Sequence, residues 1–133
     1  MRIITCFLLL LAGSAFAQQN PKVVLQLQSS DTLVHKSVVM QVSNIKSAMP
    51  DAQIELVCHG PGLEFLTKKS GGYANKLQKL NLKDVALMGC EFTMKTRNYK
   101  KEDLVPFAST VPFGIVEILK KQQENWLYVK LGF

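Results

Sequence analysis

Cys90 has the widest chemical range of any residue in this chain. It closes the apolar run Val85-Ala86-Leu87-Met88-Gly89, and Thr93 to Tyr99 reads as a short helix after it. Ahead of such a helix a thiol meets exposed backbone N–H groups, which favour its thiolate. Lys95, Arg97, Lys100 and Lys101 follow closely and push the same way through opposite charge. A thiolate so placed is a nucleophile or a persulfide carrier. The same residue also reads as a small buried hydrophobe, a common fate of a free cysteine.

Cys58 ends a second apolar stretch and is followed by His59. Two adjacent donors fall short of the three or four that zinc or copper requires. Met94 and Cys90 complete a soft copper(I) set only if the two strand ends adjoin, and no metal or other cofactor is expected. Cys58 is otherwise a core residue, or a disulfide partner for Cys90 if their Cα atoms come within about 7 Å. His59 is a candidate base towards Cys90. His59-Gly60-Pro61-Gly62 lacks the spacing and lysine of a phosphate loop and reads as a tight turn. No serine sits in a G-x-S-x-G elbow and no carboxylates are paired. Glu55 is mid-strand, and Glu102-Asp103 is a helix-capping turn. Hydrolytic chemistry therefore has little support.

The elements that must position these groups alternate. Val23 to Gln28 has strand character, and Ser29-Ser30-Asp31 offers capping side chains for a helix from Thr32. Val34, Val38, Val42, Ile45 and Met49 mark its buried stripe, which ends at Pro50. Gln53–Cys58 is a second strand. Leu63 to Lys68 and Ala74 to Leu82 are short helical pieces, with Leu77 and Leu80 inward. Val85 to Gly89, with no polar face, has the pattern of a central strand covered on both sides. Lys101 to Leu104 is a turn, and Ser109 to Val111 a short strand. Pro112 opens a helix whose expected buried stripe is Ile115, Val116, Ile118 and Leu119. Trp126 to Lys130 is the last strand, with Trp126 and Tyr128 on one face. Five such alternations predict a three-layer α/β/α domain on a mainly parallel sheet. In these sheets the functional crevice lies at the carboxyl ends of the strands. His59, Gly60, Gly89 and Cys90 fall there, with Thr93 and Lys95 just beyond, so these are the candidate site residues.

The amino terminus predicts export. Arg2 is a minimal positive region, Ile3 to Ala12 an apolar run too short to span a bilayer, and Ala15-Phe16-Ala17 an A-x-A cleavage site. Cys6 sits inside the apolar run, too early for a lipid-modified cysteine. Cleavage after Ala17 leaves 116 of the 133 residues, one domain spanning 18–133, in the periplasm or outside the cell. Sixteen basic and ten acidic residues give a net charge of +6. The positive residues are scattered apart from Lys95–Lys101, so neither nucleic acid nor, after cleavage, a membrane is an expected partner.

Four segments together resemble the DsrE/DsrF-like sulfur-relay family. Cys58-His59-Gly60-Pro61-Gly62-Leu63 is similar to its "xHGPGL", and Gly89-Cys90-Glu91-Phe92-Thr93-Met94 to its "CGNTL/M". Lys101 to Pro106 is similar to "KEDLLP", and Val111 to Glu117 to "VPSGVVEL". The resemblance implies a five-stranded parallel sheet between helices, a homo- or hetero-oligomer, and a cysteine after the third strand that accepts and passes on a persulfide. Cys90 is the matching position. Phe92 stands where a polar Asn is frequent, and Cys58 where Ala is common, which opens the way to an internal disulfide. A sulfur donor or acceptor protein is the implied partner, and Cys90 acts as a carrier rather than a turnover enzyme. The other reading is a non-catalytic oligomeric binding module with a buried, unreactive Cys90.

Overall fold

A computed structural model of the chain describes residues 20–70 and 72–132; the expected leader, residues 1–17, lies outside them. Five parallel strands form one sheet: β1 (Lys22–Leu27), β2 (Gln53–Cys58), β3 (Val85–Cys90), β4 (Ser109–Val111) and β5 (Leu127–Leu131), in the order β4-β3-β2-β1-β5. Between them run α1 (Thr32–Ala48), α2 (Gly72–Lys79), α3 (Glu91–Thr96) and α4 (Gly114–Gln123), with 3₁₀ segments at Gly60–Leu66 and Lys101–Asp103. The expected three-layer α/β/α architecture is the observed one. None of the described helices is long and apolar enough to cross a membrane.

The two faces of the sheet are covered unequally. On the first, Val23, Leu25, Leu27, Ile54, Leu56, Cys58 and Leu87 pack under α1, α2 and the first 3₁₀ segment, which contribute Val34, Val38, Val42, Leu63, Phe65, Leu66, Ala74 and Leu77. α1 starts where the Asp31 carboxylate accepts the Leu33 N–H at 2.7 Å, the capping expected of that position. On the second face a small cluster of Val24, Val57 and Ile118, flanked by Met88 and Trp126, lies under α4.

Several expectations change here. β3 is next to the edge rather than central, and Ala86 and Met88 are only half-buried because α4 alone spans that face. Leu80 is exposed, since α2 ends at Lys79 before it can turn inward. Of the stripe expected on α4 only Ile118 is buried; Ile115 and Leu119 are 50% and 56% exposed. α4 instead docks through Gly114, Ile118 and Lys121, because the strand residues below it include polar Glu55. Lys121 Nζ lies 2.8 Å from Glu55 Oε2 and 4.4 Å from the centre of the Trp126 ring.

Candidate functional site

Cys90 is both the last residue of β3 and the residue capping α3, so its direction is set by strand parity. Cys58 pairs in register with Gly89, and paired residues of parallel strands share a face. Cys58 and Gly89 therefore point into the first face, and Cys90 into the second. The Cys58–Cys90 disulfide is thereby excluded: both are free thiols on opposite sides of the sheet. Met94 belongs to the core of the first face, so the sheet also divides the copper(I) donors. Among the described residues no three His, Cys, Asp or Glu side chains are grouped to hold a metal. Cys58 is wholly enclosed, and burial pushes its thiol well above the ordinary range, making it inert.

The crevice opens where two helices diverge. α3 packs towards the 3₁₀ segment of the first face, whereas α4 crosses the second. Between their amino ends lies a cavity of about 370 Å³. Cys90, His59, Gly60, Gly114 and Thr93 line its inner part, and Phe92, Phe113 and Arg97 stand among its other walls. The rings of Phe92 and Phe113 are 6.0 Å apart. Arg97 is loosely paired with Glu64 at 3.8 Å.

The donor to Cys90 comes from a helix other than the expected one. The Gly114 N–H, at the first residue of α4, donates to Cys90 Sγ at 3.2 Å. α4 has ten residues, so its amino end carries a usable partial positive charge, whereas α3 has six. Glycine at 114 allows a close approach, since a Cβ there would stand 3.0 Å from the His59 Cβ and 3.3 Å from the Cys90 Cβ. Both His59 and Cys90 therefore pack against Gly114.

His59 is 7% exposed, and its Nε2 lies 2.8 Å from Gln26 Nε2. The Tyr128 hydroxyl donates to Gln26 Oε1, which leaves the amide nitrogen to donate to the ring. His59 Nε2 is then the bare nitrogen and Nδ1 carries the proton. Burial holds the ring's pKa below its ordinary value of 6.5, which keeps it neutral. Nε2, engaged by Gln26, is thus not free to act as the base expected of His59.

Of the other candidates, the Gly60 N–H donates to Thr93 Oγ1 at 2.9 Å, tying the β2 loop to α3. Gly89 lies in the core, where a Cβ would press on Leu63 and Leu104 at 3.2 and 3.3 Å. Lys95 is exposed and does not line the cavity; Lys100 and Lys101 are exposed as well. Sequence reasoning missed Gly114, Phe113, Gln26 and Tyr128. The glycine directly after Pro112-Phe113 was the available signal for the first pair. Nothing local marked Gln26 and Tyr128, which meet only because β5 pairs with β1.

No curated protein matches the chain. Among solved structures it is similar to a protein of unknown function from Methanobacterium thermoautotrophicum. The two are 23% identical with a TM-score of 0.77, over 83% of this chain and 98% of that one, a likeness of fold. The model of the DsrE/DsrF-like family matches residues 10–131, which include the cavity and every strand. The chain belongs to the DsrE/DsrF-like family.

Proposed function

We propose that this protein is an exported sulfur carrier, in which Cys90 accepts a sulfur atom as a persulfide and passes it on, in a homo-oligomer. The observation that carries this reading is the Cys90 Sγ on a 370 Å³ cavity, 3.2 Å from the backbone N–H that opens α4. Membership of a sulfur-relay type of family supports it. The A-x-A site at residues 15–17 supports delivery to the periplasm or beyond.

In the loading step the Cys90 thiolate attacks the terminal sulfur of a donor persulfide, R–S–S–H. The Sγ–S bond forms, the donor S–S bond breaks, and R–S⁻ leaves with its electron pair. The proton lost by the Cys90 thiol balances the one taken by the leaving thiolate, and no external oxidant takes part. Transfer onward repeats the exchange with an acceptor thiolate. The amino end of α4 favours negative charge on sulfur before and after loading. Phe92 and Phe113 give the loaded sulfur an apolar surround.

The test is intact mass after incubation with a small-molecule persulfide. The wild type is expected to gain one sulfur atom that dithiothreitol removes, and Cys90→Ser to gain none. A second reading, a ligand-binding module, draws on Cys90 being only 4% exposed. A native Cys90 that resists both sulfur loading and alkylation would overturn the carrier reading and leave that one standing.

A further inference from the structure

β5 is one edge of the sheet among the described residues, and the helices beside it leave all of its residues but Leu131 largely exposed. Leu127 is 61% exposed and Val129 43%, an unusual load of apolar surface for an edge that natural sheets protect. Register with β1 places Leu127, Val129 and Leu131 on the α1 face, and Tyr128 and Lys130 on the other. Beside the strand, α1 presents the ridge Leu33, Ser37 and Met40, spaced i, i+4 and i+7. Ser37 and Gln41 line a groove of about 310 Å³ with Val129 and Leu131, which places this side of α1 against β5. Leu33 and Met40, on the same ridge of α1 as Ser37, are exposed and apolar.

We propose that this edge pairs with the β5 of a second copy, antiparallel about a two-fold axis through Val129, to make a continuous ten-stranded sheet. The choice of occupant follows from self-complementarity. A two-fold axis through a residue keeps side chains of one face together, and only the axis at Val129 engages all five residues of the strand. It sets Leu127 opposite Leu131 of the second copy and Tyr128 opposite its Lys130. An axis one residue later sets Lys130 against Lys130. In the Val129 register the stem of Lys130 lies along the phenol and its ammonium reaches water. A strand pair alone is marginal, and a stable dimer buries about 800 Å² per partner. The Leu33–Met40 ridge meets its own copy across the axis and supplies the additional area. The proposal rests on the self-assembly suggested above, not on the chemistry of Cys90.

Light scattering with two variants tests it. The wild type is expected to have the mass of an even number of chains. Val129→Lys opposes two ammonium groups on the axis and should weaken association at least about tenfold, halving that mass with an unchanged far-UV spectrum. Val129→Cys should form a dimer on mild oxidation that reductant dissolves, absent from wild type treated alike. A single-chain or odd-numbered wild-type mass overturns the proposal. So does an assembly that Val129→Lys leaves intact, or one in which Val129→Cys forms no crosslink. Sulfur loading at Cys90 is read separately, so either idea can fail alone.

Discussion

Cys90 meets a neighbour that carries no side chain, and His59 is held by two residues on other strands. The Gly114 N–H and the Tyr128–Gln26–His59 chain converge on one end of the sheet, where each contact is worth about 1 kcal/mol alone. The second has its larger effect on the protonation of His59. Tyr128→Phe removes the hydroxyl that orients the Gln26 amide, so the amide can turn and His59 Nε2 can take a proton. The expected outcome is a rise in the His59 pKa towards 6.5, with about 1 kcal/mol of stability lost. Nitrogen chemical shifts of the ring check this directly, and an Nε2–H tautomer in the wild type would mean that the amide points the other way. The pH dependence has a definite sign. As pH falls through 6.5 the unfolded chain takes the proton first, so His59 costs stability from there down to its lower folded pKa. In His59→Gln that part of the acid loss should vanish, which denaturant titrations at paired pH values will show.

The loop between β2 and α2 shows how backbone packing fixes the residues that line the cavity. The first 3₁₀ segment crosses the end of β1 so closely that a Cβ on Gly62 would lie 2.1 Å from the Leu27 carbonyl oxygen. The same carbonyl accepts the His59 N–H at 3.1 Å, so the loop is clamped where His59 begins. Gly62→Ala must displace backbone and should cost at least about 3 kcal/mol. Gly72→Ala, at an open helical position, should be neutral or gain up to about 1 kcal/mol. Urea midpoints of the pair separate a steric requirement from a general intolerance of alanine. The alternation of strands and helices was legible because it is written in short apolar runs: β2 and β4 have the expected ends, and α1 falls within a residue or two of them. The face of each strand was not legible. Cys58 pairs with Gly89 and not with Cys90, and that one-residue offset decides between a disulfide and two separate thiols. Nor was the docking of α4, since Ile115, Val116 and Leu119 have core spacing while the surface below offers Glu55. Periodicity reports which residues share a stripe, and the partner surface decides whether that stripe is buried.

At the scale of the whole molecule, one layer is a full apolar core and the other is a single helix held partly by charge. Glu55 is buried mid-strand on the α4 face, and its partner Lys121 also reaches Glu117 at 3.6 Å. Desolvation raises the Glu55 pKa, opposed by the hydrogen bond and charge of Lys121. Lys121 is itself disfavoured by desolvation, but the bond and charge of Glu55 outweigh this and raise its pKa. The pair need not be net stabilising, yet removing one partner strands the other. Lys121→Met should cost near the lower end of roughly 3–5 kcal/mol at neutral pH, because Lys121 is only partly enclosed. The sign with pH follows from the raised Glu55 pKa. Above the ordinary value of 4.5 the unfolded carboxyl is ionised while the folded one resists, so stability falls as pH rises through that window. The deficit of Lys121→Met should therefore shrink on acidification towards 4.5 and be largely rescued by adding Glu55→Gln. Trp126, the only tryptophan, sits against Lys121, so its fluorescence reports the α4 layer directly. If that fluorescence unfolds together with the far-UV signal in both variants, the two layers form one cooperative unit. An earlier fluorescence transition in Lys121→Met would show that α4, and with it the N–H that faces Cys90, opens independently of the core.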